Sequence, residues 1–290
     1  MPSEDLLVSQ ERARALVASV EDLPTLPEVV IEITRLIESP DTTAEDVYKI
    51  VSLDISLSAT MLKLVNSAFY GMPRQVTSLE KAIRILGFST VRNIALAAFV
   101  FDSFLTGRHQ SDYKAFWMHC IGVGTASGIL ARRLREPDAG EYFVYGLLHD
   151  LGVVLYVQYL PEMYLKVREE VGKGVEPDKA EYDVTGCTHR ELGAALAERW
   201  DFPPPLVASI LAHCTDPLPE EHARQIAVTT CADAIAAALS IGEALSPKVP
   251  TVADHVWKAA GVDRSQMGAI MDEVLAGMES SRSFINLLYK

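Results

Sequence analysis

The stretch Gly146-Leu147-Leu148-His149-Asp150-Leu151-Gly152 sets a histidine directly beside an aspartate within an otherwise apolar segment. Neighbouring residues on a helix point about 100° apart, so these two side chains cannot form the usual i, i+4 surface pair. A carboxylate buried among Leu and Val is costly unless something compensates it. A cation is the simplest compensation, because a carboxylate can bridge two ions while the adjacent imidazole holds one of them. An N–H···O pair closing a helix end would serve as well, and this stretch alone leaves the metal and structural readings level.

Outward from this doublet the pattern is helical almost throughout, with no alternating run of strand length. One helix is expected from Glu141 to about Tyr159, carrying His149 and Asp150, and another from Tyr113 to about Arg133. Thr188-His189-Arg190-Glu191 reads as a capping box that places His189 in the first turn of a helix reaching Trp200. Pro203-Pro204-Pro205 forces a break before a short helix from Leu206 to His213. Gln225 to Leu239 is apolar or small apart from Asp233, and Val252 to Tyr289 reads as two helices parted near Gly261–Ser265.

Towards the N-terminus, Leu6 to Val20 has helical spacing, and Pro27 suits the first turn of a helix ending near Ile37. Thr42-x-x-Glu45 reads as a capping box, Leu57 to Phe69 as a helix stopped by Gly71, and Ser78 and Ser89 as N-caps of two further helices. The polar stretch Gly107 to Asp112 is the best internal boundary. The expected architecture is therefore all-α: an N-terminal helical lobe over 1–108 and a helical domain over 109–290.

Among the 290 residues, 49% are hydrophobic and the formal charge is −13. Such acidity argues against binding a phosphate backbone, so nucleic acid is not expected as a ligand. The N-terminus lacks the basic and apolar regions of a signal peptide. The longest apolar run, Ile94 to Phe101, is too short to cross a bilayer. Cys120, Cys187, Cys214 and Cys231 show no C-x-x-C spacing. A cytoplasmic protein without a membrane partner is expected.

The seven histidines are sorted by context. His109, His222 and His255 have polar surroundings and are expected to face water. His119 lies in a helix core, where a lone histidine is more often a satisfied core residue than a ligand. A neutral imidazole at position 189 would suit ligation, since the positive helix end disfavours imidazolium. His213 precedes Cys214, which as a thiolate could be a soft ligand. Asp233 needs a partner if buried. Taken together, His119, His149, Asp150, His189, His213 and Asp233 sit on successive helical segments, as in metal sites built inside bundles. Mixed nitrogen and oxygen donors favour Fe, Mn, Ni or Zn over Ca or Mg.

This order of residues resembles the HD superfamily of metal-dependent phosphohydrolases, and the whole chain resembles its HDOD family. The resemblance in the first half rests on Leu23-Pro24-Thr25-Leu26-Pro27, Asp54, Leu64-Val65-Asn66-Ser67-Ala68-Phe69-Tyr70-Gly71, Thr77 to Ile83 and Leu86-Gly87. In the second half it rests on Gly146 to Gly152, His189-Arg190-Glu191-Leu192-Gly193, and Trp200 with the prolines after it. The resemblance implies an HD-like second half in which His119, His149, Asp150, His189, His213 and Asp233 hold one or two ions, Asp150 bridging them.

Two departures separate the chain from the cyclic-di-nucleotide phosphodiesterase branch. His213-Cys214 stands where that branch has His-His, and Val153 stands where it commonly has Lys; its Gly-Tyr-Pro element is replaced by Thr215-Asp216-Pro217. The implied function is that of a bacterial signalling or regulatory module with a retained metal site and a protein partner. The alternative is an active phosphohydrolase on a phosphate-containing small molecule, with Asp150 as its central residue and Arg190 or Lys114 neutralising substrate charge.

Overall fold

The computed structural model describes residues 4–288 except 67–71, 73, 106–113, 244, 246 and 247. Every regular element among them is helical. The first group is α1 (Glu4–Ser19), α2 (Glu28–Ile37), α3 (Ala44–Val51), α4 (Ile55–Val65), α5 (Leu79–Leu86) and α6 (Phe88–Leu105). The second is α7 (Lys114–Arg133), α8 (Ala139–Leu148), α9 (Leu151–Tyr159), α10 (Pro161–Gly172), α11 (Pro177–Thr185), α12 (His189–Arg199), α13 (Pro204–Ala212) and α14 (Ala223–Ala238). Finally α15 (Asp254–Ala260) and a 3-10 turn (Arg264–Gln266) lead into α16 (Met267–Leu288). The all-α expectation holds.

Helix α7 is the axis of the second half. Its residues are buried from Phe116 to Ala131 on all sides save Met118, and α8, α14 and α16 pack around it. A helix apolar around its whole circumference must be enclosed in this way. One hydrophobic core runs through both halves of the chain. Trp200 ties them: its Nε1 donates to the Pro24 carbonyl at 3.0 Å, and its ring lies 5.0 Å from Phe99 and 6.0 Å from Phe104. Burying each such aromatic is worth about 1.5–3 kcal/mol. Helix α1 docks on α12, through Arg14 with Glu198, Arg199 Nη1 with the Val17 carbonyl, and Ser9 Oγ with Glu191.

Several local expectations shift. The capping box before α3 is formed by Thr43 and Asp46, one residue later than Thr42 and Glu45, because the Thr42 hydroxyl turns back to the Leu36 carbonyl. Pro27 is the N-cap of α2 rather than its first helical residue. Ser78 caps α5 as expected, but Ser89 lies inside α6, which begins at Phe88 directly after Gly87 turns with φ 79°. The single helix expected over Glu141–Tyr159 is broken at His149-Asp150 into α8 and α9. Gly71 as a helix stop, the Asn66–Gly71 stretch beyond Asn66, the 108/109 division and His109 lie outside the described residues. His222 is partly exposed and His255 is exposed. Among the described residues no single helix is long and apolar enough to cross a membrane.

Candidate metal centre

The break between α8 and α9 is what aims the doublet. Released from helical geometry, Asp150 adopts φ −98° and ψ 28° and turns its carboxylate towards the His149 ring. Close backbone packing then brings the other donors in. A β-carbon on Gly146 would lie 2.6 Å from the Val123 carbonyl, so α8 lies against α7, which carries His119. His189 enters from the first position of α12, His213 from the C-cap of α13 and Asp233 from the middle of α14.

All six expected residues are buried and meet in one place. Asp150 Oδ2 lies 3.4 Å from His149 Nε2, while its Oδ1 lies 3.4 Å from His213 Nε2 and 3.5 Å from His189 Nε2. Asp233 Oδ1 lies 3.1 Å from His119 Nε2. The imidazole rings are neighbours, with centroids 5.4 Å apart for His119 and His149, 4.9 Å for His149 and His213, and 5.5 Å for His189 and His213. Of three groups of donor atoms that could each hold an ion, one is Asp178, Glu181 and His189, with Asp178 exposed; the other two lie within the cluster, His119, His149 and Asp150, and Asp150, His189 and His213. Asp150 is common to both.

The tautomers test the fit. His149 Nδ1 faces the Gly146 carbonyl at 2.8 Å, and His213 Nδ1 faces the Ile210 carbonyl at 2.9 Å. His189 Nδ1 faces both oxygens of Glu181 at 2.9 and 2.8 Å. Each of these partners only accepts, so in a neutral ring Nδ1 carries the proton and Nε2 presents a lone pair. Those lone pairs then face the Asp150 oxygens at separations longer than an N–H···O bond. Lone pair against lone pair in a buried site is repulsive unless a cation lies between, either a metal ion or, at His189, the second proton that Glu181 favours. His119 Nε2 is a further buried atom without a hydrogen bond, since Asp233 Oδ1 is near it but out of alignment. This donor set fits a divalent first-row metal.

Electrostatics within the cluster are polarised. Burial pushes His149 down to about 4, against the pull of Asp150. Burial also pushes His189 down, but the charge and hydrogen bonds of Glu181, with Asp150, prevail and raise it to about 9. His119 is raised because Asp233 and Asp150 outweigh its burial. Burial disfavours both carboxylates, yet His149, His213 and His189 hold Asp150 well below the usual range, and His119 with His149 lowers Asp233.

Cys214 stands beside the cluster with φ 60°, its Sγ 3.4 Å from Asp233 Oδ2. Cys214 is exposed as a residue, but its sulfur turns inward, and the loss of solvation there together with Asp233 pushes the thiol well above its usual range. Arg190 is committed to Asp178, at 3.0 and 2.6 Å, and Lys114 is exposed at the start of α7.

Glu181 is the residue that sequence reasoning did not single out. In Pro177-Asp178-Lys179-Ala180-Glu181-Tyr182-Asp183 nothing in the spacing separates Glu181 from Asp178 and Asp183. Only the fold shows that this one turns inward.

The profile of the HDOD domain family matches residues 23–215. An uncharacterized protein of Treponema pallidum is 30% identical over 213 residues, covering 72% of this chain and 41% of that protein. The chain thus spans about two-fifths of that relative's length. An HDOD domain protein of unknown function from Geobacter sulfurreducens shares the fold, with TM-score 0.72, 23% identity, and coverage of 98% of this chain and 97% of the other. A Shewanella amazonensis protein named provisionally as a phosphohydrolase aligns with TM-score 0.70 and 26% identity, over 92% of this chain and 97% of the other. With the match running from the Leu23-Pro24 turn through the His213 donor, the chain belongs to the HDOD family.

Proposed function

We propose that this chain is a regulatory protein of bacterial signalling, built around an HD-type centre that holds one or two divalent transition-metal ions (Fe, Mn, Ni or Zn). The carrying observation is the convergence of the Nε2 atoms of His149, His189 and His213 on the two oxygens of Asp150. The regulatory part of the reading is supported by enclosure. Every donor residue is less than a tenth exposed, so the centre is largely enclosed, with exposed Cys214 beside Asp233 marking its nearest surface. A closed centre of this kind orders the helices that supply its ligands, and helix order is what a protein partner can read.

A second reading, a metal-dependent phosphohydrolase, is supported by the bridging position of Asp150 and by the name of the Shewanella relative. A bound cation would supply Lewis acidity towards a phosphate oxygen. Asp150 would then hold the ions in register, and the substrate would have to enter by displacement of the Cys214 or Arg190 side.

Metal analysis of protein purified anaerobically without a histidine tag tests the common premise, and a stoichiometry near zero removes it. A phosphatase and phosphodiesterase panel with Mn or Fe then separates the readings. Turnover lost in a folded Asp150→Ala variant favours the enzyme; a metal-loaded protein without turnover favours the regulator.

A further inference from the structure

We propose that Glu181, delivered by α11, is a positioning residue for the metal centre, orienting His189 so that Nε2 points at Asp150. The inference rests on the metal-binding reading above. Glu181 is fully buried (0% exposed), although it belongs to a helix whose remaining acids, Asp178 and Asp183, face solvent. A carboxylate kept out of water requires a strong compensating partner. Among the described residues its carboxylate hydrogen-bonds to His189: Oε2 accepts the main-chain N–H at 2.8 Å, and both oxygens accept from Nδ1, with the Arg190 charge nearby. The clamp therefore fixes backbone and ring together.

The other rings are backed differently. His149 and His213 each use a main-chain carbonyl three residues earlier in the chain, a neutral and local acceptor. His189 alone among the three is backed by a charged group from another helix. A carboxylate behind a ligating imidazole fixes its tautomer and makes its free nitrogen a better donor. The capping box of Thr188 and Glu191 serves the N–H groups of those two residues, so Glu181 adds the N–H of His189 to the capping of α12 and, beyond any cap, backs the His189 ring. Glu181 thus makes the Asp150–His189–His213 subsite depend on the placement of α11.

The test is a cobalt(II) titration of untagged protein, followed by the visible d–d absorption, for wild type, Glu181→Gln, His189→Ala and the double variant. Glu181→Gln is expected to weaken cobalt binding by about 10- to 100-fold, as for other groups behind a metal-bound histidine. The d–d spectrum should change while far-ultraviolet circular dichroism does not. In the His189→Ala background the same substitution should cost much less, because only the bond to the main-chain N–H of residue 189 then remains. Failure of the wild type to bind cobalt would remove the metal reading itself. Wild-type binding with a change under about tenfold in Glu181→Gln, or an equal loss with and without His189, overturns the role of Glu181 alone. Should Glu181→Gln fail to fold, Glu181→Asp keeps the charge, and an unchanged affinity and spectrum in that shorter variant overturns the positioning role.

Discussion

A β-carbon placed on Gly152 would lie 1.8 Å from the carbonyl oxygen of His189. Helices α9 and α12 therefore touch main chain to main chain one turn from the doublet, and Gly193 completes the contact, its own β-carbon position being 2.7 Å from Gly152 N. Any side chain at 152 must push α12 away and take His189 with it. Gly152→Ala is expected to cost about 1–3 kcal/mol or more by overpacking, and to lower metal content. Gly172→Ala, where a β-carbon meets nothing within 4 Å, is the control and should be neutral or mildly stabilising. Thermal unfolding of the two variants, with metal analysis, decides the point.

This contact also marks where the sequence stops being legible. Apolar spacing and caps are local signals, and they place α7, α12 and α14 with their donors His119, His189 and Asp233 within a residue or two. The family pattern supplies which six side chains belong together. The break at His149-Asp150 leaves no such signal: Leu148, Leu151 and Val153 continue a helical pattern without Pro, and the turn is imposed by packing on α7 and α12. Glu181 is hidden for a related reason, since burial of one acid among several depends on how α11 lies over the start of α12. Thr43 rather than Thr42 caps α3 because two adjacent threonines compete, and only the backbone course decides between them.

Asp150 carries the strongest expectation about metal. A ligand that binds only the folded state raises apparent stability, by about 2.7 kcal/mol at a hundredfold excess over its dissociation constant. The wild-type melting temperature should therefore rise on adding Mn, Fe or Zn to chelator-stripped protein. In Asp150→Asn, which keeps the volume but loses the charge shared by both donor groups, this rise should disappear. A rise equal to that of the wild type would show that the ion sits elsewhere.

The start of α12 is held from both sides. Thr188 Oγ1 accepts from Glu191 N, the Glu191 carboxylate returns to Thr188 N at 2.8 Å, and Ser9 of α1 adds its hydroxyl to the same carboxylate. Thr188→Ala should cost about 1 kcal/mol, the usual loss for an N-cap, and Ser9→Ala should lower stability in the same direction. Equilibrium urea unfolding of chelated protein measures both. Since His189 is the next residue, Thr188→Ala should also weaken metal binding, whereas a surface cap variant such as Thr43→Ala should not.

Chelated protein should be most stable near pH 6.5, the ordinary value for a free histidine. His189 is raised to about 9 in the folded state by Glu181 acting against burial. Its contribution is fully present below 6.5 and is lost as the pH climbs from there through about 9, because the folded state then surrenders a proton the unfolded chain has already released. His149 has the opposite sign. Burial depresses it to about 4, so its neutral form belongs to the fold and its contribution is lost as the pH falls from 6.5 through about 4. Melting temperatures recorded across pH 4–9 should therefore fall on both sides of a maximum. Glu181→Gln should reduce the alkaline fall to the part that His119 supplies, since Asp233 and Asp150 also raise that ring, and should leave the contribution of His149 on the acid side in place. A profile that keeps its full alkaline fall in Glu181→Gln would assign that limb to some other group.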